Sequence, residues 1–501
     1  MLFAKLPQTT ISPFFGTLLL YANTACTSIN SGVRLDGLGV VAEISRCYPR
    51  LMSTGSGILV PSFLEMIIKA ADRKSRDVLL ESFYSFFSII NQSKKQSSSI
   101  SNRYILLNET QDIPRISMFG NAKDDGVNGF DSLKSNATST YSFIPNNSGA
   151  SGMTDTPYAK AATDPKYSAH YERLVPVLIN FWIESSELVF NASNQLTATS
   201  HFKTCHLVVK ILGCIVNQSP VAMMKEWIKN VTKHITAYFP FGQNDSISCR
   251  DPSVVAELDN MNIDFGLIMM KFAESEKILQ NHEQAERIMQ QIKKFLTDTF
   301  QPGTKISNLP SALSLFDICL NFSESYAHRS SLFGVLNDYQ KSSPSLAMRY
   351  KIFTLMANCN LHSNNDHKDY QEWILSLPKL IWQLKSSNLD FTSSILLFLA
   401  VQLKTHRVSG TTVSRLQSSL IPLFSCSVST KTQPESKTVF GPFLKYPESV
   451  QKLSIDLLFY LSTWDEGLSN ALNTVFQNPD LFESKILDYF KGLLHVRKQT
   501  V

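Results

Sequence analysis

The 501-residue chain is short of the features that announce chemistry. It has no Gly-rich phosphate loop, no nucleophile elbow, no HExxH pair and no kinase signature set. It has no CxxC pair: its eight cysteines, at positions 26, 47, 205, 214, 249, 319, 359 and 426, are scattered within apolar helical patterns. In a long chain that reads as buried, reduced thiols in an intracellular protein and argues against a disulfide framework. No run reaches the roughly 18 unbroken apolar residues that a bilayer-spanning helix requires. Charge is sparse at 18%, and the formal net of +5 is small for this length, so composition alone does not mark a nucleic-acid binder. No segment sustains period-two alternation between turns, which makes a sheet unexpected. Glycine (20) and proline (21) are at ordinary levels, which excludes collagen-like and wholly disordered classes.

What is present is apolar helix. At 43% hydrophobic the chain can bury a large core, enough for two to four domain-sized units. Between Pro13 and Pro49, Phe14, Phe15, Leu18, Leu19 and Ala22 recur at helical spacing. Val33, Leu35, Leu38, Val41, Ile44 and Cys47 do so on a second segment. Ser28–Ile29–Asn30–Ser31–Gly32 between them supplies turn chemistry, with a glycine that tolerates positive φ. Two such helices cannot bury both faces alone and need a neighbouring pair to stack on, as in HEAT and armadillo arrays.

Two further helices are expected over Leu59–Ile68 and Val78–Ile90. The second is too apolar to be solvent-facing on more than one side. From Asn91 to about Lys166 the chain turns Ser- and Asn-rich with isolated apolar islands, which predicts a disordered linker. Beyond it helices are predicted over 172–190, 199–217, 220–238, 252–276, 282–300, 310–323, 344–360, 369–385, 390–406, 411–426, 446–463, 465–477 and 479–494. Four starts are marked by a capping residue before proline: Ser219–Pro220, Asp251–Pro252, Ser343–Pro344 and Asn478–Pro479. The expected architecture is an all-α, HEAT/ARM-like α-solenoid of antiparallel helix pairs, with repeats at 1–90, a disordered insertion at 91–166 and a second array at 167–501.

Candidate sites are few. Lys225, Lys229 and Lys233 recur every four residues on one helix. Like charges at that spacing cost stability, so the stripe suits an acidic partner or RNA phosphate, or else a solvated outer face. Cys359, His362 and His367 give a C-x2-H-x4-H spacing, but a tetrahedral metal site needs a fourth ligand and none is near, so no metal or other cofactor is expected. Arg34 and Asp36 read as a structural pair that holds the register of adjacent repeats. The basic His495–Lys498 tail matches the favourable charge at a helix C-terminus, and Phe239–Gly242 reads as a helix-ending corner. The apolar run Phe14–Ala22 behind Lys5, with Asn-x-Ser/Thr sequons at Asn91, Asn108, Asn136, Asn191, Asn230 and Asn321, raises a secretory alternative. A helical-repeat adaptor in transport or trafficking is a second alternative, because fold does not fix function.

The block Pro13–Ile67, with "LLLYANTACTSINSGVRLDGLGVV" followed by "ILVPSFLEMI", resembles the conserved N-terminal block of the Tex/Ipi family. The resembling features are the small-residue and Thr segment Thr24–Ile29 and the hydrophobic–Arg–x–Asp start Val33–Arg34–Leu35–Asp36. Further on, "LVPVLINFWIESSE" (Leu174–Glu187) resembles that family's leucine-rich helix running into a Trp-containing turn. The resemblance implies a non-catalytic helical-repeat subunit of the Rix complex in the nucleolus and nucleoplasm. It would sit beside a WD-repeat propeller and a second helical-repeat subunit. It would support processing of the internal transcribed spacer in large-subunit precursors and help recruit an AAA-type remodelling ATPase, with no membrane and with direct RNA contact left open. Members of that family usually carry a basic tail and further helices before the block. This chain starts almost at it, which points to a truncated gene model or short isoform, with Phe14, Phe15 and Leu18 as a sticky apolar end.

Overall fold

The computed structural model describes residues 6–69, 73–98, 165–190, 199–217, 219–242, 251–322, 326–343, 345–359, 368–430, 433–478 and 484–500. The expected linker therefore lies almost wholly outside the described residues, except that the preceding helix runs on to Ser98 and the following one begins at Pro165. The described helices fall into two compact units, one ending at Phe322 and the other holding the helices from Tyr326 onward. That division falls inside the span expected as one array.

The first unit begins with a single turn, α1 (Gln8–Ile11). The hairpin α2 (Phe15–Cys26) and α3 (Ser31–Cys47) follows, then α4 (Pro49–Lys69) and α5 (Arg73–Ser98). After the undescribed segment come α6 (Pro165–Phe190), α7 (Ser200–Val216), α8 (Val221–His234), α9 (Pro252–Ile278), α10 (His282–Thr299) and α11 (Leu309–Phe322). Consecutive helices pair, as in α2/α3, α4/α5, α6/α7 and α9/α10. Each also packs on the helix two along: α2 on α4, α4 on α6 and α6 on α8 in one layer, α3 on α5, α5 on α7, α7 on α9 and α9 on α11 in the other. This double adjacency is what a stack of helix pairs produces, since each pair contacts only its neighbours.

The second unit repeats the scheme. It comprises α12 (Tyr326–Ser342), α13 (Leu346–Ala357), α14 (Lys368–Leu384), α15 (Leu389–Lys404), α16 (Gly410–Phe424), α17 (Glu448–Phe459), α18 (Glu466–Phe476) and α19 (Ser484–Thr500). One layer runs α12–α14–α16–α18 and the other α15–α17–α19. The starts Tyr326, Lys368 and Gly410 are each 42 residues apart, inside the roughly 40–47-residue period of HEAT and armadillo units.

The local reasons are legible. Asn30 caps α3 by accepting from the Gly32 and Val33 N–H groups, and Asp251 caps α9 with Pro252 at its first position. Gly37 is required because a Cβ there would lie 2.7 Å from the Cys26 backbone nitrogen; its absence lets α3 touch α2. In α5, Phe83, Phe86 and Phe87 are buried, and Phe86 stacks on Phe63 of α4 at 5.6 Å.

Several expectations are corrected. Gly32 does not adopt positive φ but opens α3. The helix expected from Ser219–Pro220 starts at Val221 without a side-chain cap; Ser219 instead donates to the Ile215 carbonyl, and the helix stops at His234 before a 3-10 turn. Ser345, not Ser343, caps α13, and Pro344 and Pro479 lie outside the described residues. Helix α12 was not expected at all. Its buried face carries Asn337 and Gln340 beside Leu332, Phe333, Leu336 and Tyr339, so polar residues break the apolar period; Gln340 finds its partners in the fold, while the Asn337 Oδ1 has none among the described residues.

A sheet was likewise unexpected. Ser425–Thr430 and Gln433–Phe440 form a two-stranded antiparallel hairpin between α16 and α17, with Cys426 opposite Val439 and Val428 opposite Lys437. Its short Ser/Thr-rich strands lack a clean apolar face. They are held at the base, where Ser425 donates to the Ala471 carbonyl and the Gly441 N–H to the Phe424 carbonyl.

Candidate docking surface

Helix α8 is built by one stripe: Met224, Trp227, Ile228 and Val231, continued by Ile235, are buried against α6 and α9. The Trp182 indole N–H donates to the His234 carbonyl at 3.1 Å and Ser275 donates to the Met224 sulfur at 3.1 Å, which fixes the helix's rotation. With that face inward, Lys225, Lys229 and Lys233 are all exposed. None of the three makes an ion pair among the described residues. The stripe is thus a row of exposed cations with the exposed Glu226 beside it, in steps of about 6 Å along the helix from the 1.5 Å rise per residue. Point charges of this kind suit an anion and would position a partner without reading sequence.

Arg34 and Asp36 are placed differently from the expected inter-repeat pair. Arg34 donates to the Ser28 carbonyl at 3.1 Å, closing the turn of its own hairpin, and Asp36 is exposed. Among the anticipated sticky residues, Phe14 is 70% exposed, Phe15 is buried and Leu18 is intermediate. Cys359 is buried at the end of α13, while His362 and His367 lie outside the described residues. No group of three or more metal-ligating side chains occurs among the described residues.

Sequence reasoning missed a polar ladder across α5, α7 and α9. Asp77 accepts from Thr204 at 2.7 Å and from Ser200, and Lys203 pairs with Glu81 at 2.7 Å. Farther along, Lys210 lies 5.2 Å over the Tyr84 ring. His206 is buried and held down to about 4, first by desolvation and then by Lys210, so it is neutral near pH 7 and its 4.0 Å approach to Glu257 is not an ion pair. Burial pushes Asp264 up to about 6, with Lys210 opposing. The ladder could not be read from the sequence because its α5–α7 partners lie more than 120 residues apart and its α7–α9 partners about 50 apart. Burial also raises the thiols of Cys205 and Cys319 and lifts Cys26 to about 11, which makes them poor nucleophiles.

The Phe239–Gly242 corner plugs the first unit. The Phe239–Pro240 peptide is cis, and Phe241 is buried against Trp182, Phe190 and Phe265. Asn262 holds it from both sides, accepting from the Phe241 N–H at 2.6 Å and donating to its carbonyl at 3.1 Å. Gly242 follows at φ +78°, a conformation glycine adopts without strain.

Stacked helix pairs with charged outer faces define an all-α helical-repeat protein. No helix among the described residues is long and apolar enough to cross a membrane. Residues 370–500, from α14 onward, match a family model described as TEX10-like, TPR repeats. The chain is 20% identical to the Testis-expressed protein 10 homolog of Danio rerio, in an alignment covering 78% of this chain and 49% of that one. The chain thus spans about half the length of that curated relative. Both findings support the Tex/Ipi family, which the N-terminal block resembles. Among solved structures, importin beta aligns with a TM-score of 0.40 at 10% identity, over 99% of this chain and 54% of that one. An engineered protein aligns with a TM-score of 0.40 at 11% identity, over 95% and 98%.

Proposed function

We propose that this chain is a non-catalytic scaffold of large ribosomal subunit maturation, a helical-repeat subunit of a Rix-type assembly that supports processing of the internal transcribed spacer. The observation that carries the reading is that both ends of the chain point to one family: the Pro13–Ile67 block resembles it, and residues 370–500 match its model. On this reading a WD-repeat propeller and a second helical-repeat subunit dock on outer helix faces. The assembly helps bring an AAA-type remodelling ATPase to the precursor, in the nucleolus and nucleoplasm. Lys225, Lys229 and Lys233 supply a positioning contact to an acidic subunit or to precursor RNA.

The test is affinity purification of the tagged chain followed by mass spectrometry, with imaging of the same fusion. Recovery of a propeller subunit and large-subunit precursors, with nucleolar signal, is expected. Recovery of neither, or a steady vesicular location, overturns the reading.

A further inference from the structure

The charge of this chain is not spread evenly. Residues 373–434 hold six Lys/Arg (379, 385, 404, 407, 415 and 431) and a single acid, Asp390. Taken from the chain's 47 basic and 42 acidic residues, that leaves 41 of each sign elsewhere, so this stretch accounts for the whole net charge of +5. It spans most of α14, all of α15 and α16, and the first strand of the hairpin.

Within the stretch α14 exposes a tryptophan. Of the chain's five, Trp182, Trp227 and Trp373 are buried, and Trp464 lies under the Arg497 guanidinium at 4.3 Å. Trp382 is 47% exposed. Lys379 and Lys385 stand three residues to either side of it, both exposed and neither in an ion pair among the described residues. On helical geometry Lys379 lies about 4.5 Å along the axis and about 60° around it from the ring, while Lys385 follows the last residue of α14 with φ of 51°. The α14 acid nearest to the ring in sequence is Glu372, about 15 Å along the axis. On α16, the next helix of the same layer, the one charged residue is Arg415, exposed and also free of an ion pair among the described residues.

We propose that the outer face of α14 and α16 binds single-stranded RNA, with a base stacked on Trp382 and the flanking phosphates met by Lys379 and Lys385. An aromatic ring between two cations matches a nucleotide strand, which offers a π-face and a negative charge at every step. An acidic peptide would satisfy the lysines and leave the ring without a partner. The choice of RNA among single-stranded nucleic acids rests on the ribosome-maturation reading; the ring-and-cation site does not.

The full chain titrated into a fluorescein-labelled 12-nucleotide oligouridine tests this by anisotropy, with tryptophan emission followed in parallel. Binding with quenching of the exposed tryptophan is expected. Trp382→Ala should weaken binding at least fivefold, since stacking contributes about 1–3 kcal/mol per base. Lys379→Gln/Lys385→Gln should lower the slope of log affinity against log salt by about 1.4, from roughly 0.7 per phosphate on a single strand. Trp382→Phe should keep most of the affinity and lose the quenching. Unchanged affinity in Trp382→Ala, or poly-glutamate binding more tightly than the oligonucleotide, overturns the proposal. Tighter binding of oligothymidine DNA overturns the choice of RNA. The purification described above fails or succeeds separately, because this titration needs no other subunit.

Discussion

Both units pack around a cluster of aromatic rings, and the second adds a series of buried glutamine bridges. In the first, the gap left where α8 gives way to the corner is filled by aromatic rings. Trp182, Phe190, Tyr238, Phe239, Phe241, Phe265 and Phe295 form one cluster with centroid separations of 5.2–6.3 Å. In the second, Phe333, Tyr350, Phe353, Tyr370, Trp373, Phe391 and Phe398 form a ring cluster of their own at 4.9–5.9 Å, and buried amides in addition pin one helix to the next. Gln340 accepts from the Trp373 indole at 3.1 Å and donates to the Arg349 carbonyl at 3.0 Å, and Gln402 accepts from the Tyr370 hydroxyl at 3.0 Å. Gln417 donates to the Thr463 carbonyl at 2.8 Å and accepts from the Asp465 N–H at 2.7 Å, and Gln451 donates to the Phe443 carbonyl at 3.0 Å. Ring packing is tolerant in direction and large in buried area. An amide bridge fixes one register and leaves unpaired groups if it is lost.

The sharpest way to break the contrast is to remove material from each side. Phe241→Ala should destabilise the protein by ~3–5 kcal/mol, the range for truncating a buried aromatic, read as a drop in the urea midpoint. An effect under 1 kcal/mol would mean that the rings are not the seal of the first unit. Gln417→Leu keeps the volume but leaves the Thr463 carbonyl and the Asp465 N–H without their partner, so it should cost ~1–3 kcal/mol. A neutral result would show that these bridges set register without adding stability.

Titration sharpens the contrast next. In the first unit His206 is held down to about 4, so its contribution is present above about pH 6.5 and is lost as pH falls toward 4. Asp264, raised to about 6, acts in the opposite sense over nearly the same range. In the second unit Asp456 is raised to about 6 by burial, opposed by a 2.6 Å hydrogen bond from Tyr489 and by the Lys452 charge. The folded state binds that proton more readily than the unfolded chain, so the contribution of Asp456 grows as pH falls from 6 to 4. Relative to the parent, His206→Gln should therefore gain on going from pH 7 to 4.5, and Asp456→Asn should lose, each by ~1–2 kcal/mol. Chemical denaturation at the two pH values measures both, and matching signs would refute the assignment.

The smallest effect lies at helix ends. Gln280, Lys385 and His406 end α9, α14 and α15 with positive φ of 63°, 51° and 53°. After α9 the Asn281 N–H reaches the Glu276 carbonyl, and after α15 the Arg407 N–H reaches the Gln402 carbonyl, closing the last turns. Gln280→Gly should raise stability by ~0.5–1 kcal/mol, because glycine meets no Cβ conflict there. A fall in thermal midpoint would refute it.

How much was legible follows from the same physics. The 3.6-residue period placed α7, α9, α10, α11, α14, α15, α16 and α18 to within about two residues, because apolar residues dominate their buried stripes. It failed at α12, where Asn337 and Gln340 occupy the inward face. It set the start of α4 late, at Leu59, although the helix begins at Pro49 and passes through Pro61. That proline is not isolated. Pro61, Pro176, Pro378 and Pro422 fall at the eleventh to thirteenth residues of α4, α6, α14 and α16, each in the layer that its unit shares with those helices. A residue read along the chain as a stop is a recurring feature of one layer within each unit. The lysine stripe was visible because it lies within one helix, whereas the ladder of Asp77, Glu81 and Lys203 was not.

Sequence by itself determined that this chain makes helices and that they must stack in pairs, because each apolar stripe is too wide for one partner. It also determined the resemblance at Pro13–Ile67 and the concentration of charge after Trp373. Only the tertiary structure decided which helix touches which, that a buried Asn262 grips Phe241, and that Trp382 faces solvent while Trp373 does not. The two tryptophans sit nine residues apart on α14, about half a turn around its axis, so the helical period puts them on opposite faces; the neighbours that cover one of those faces arrive from other repeats.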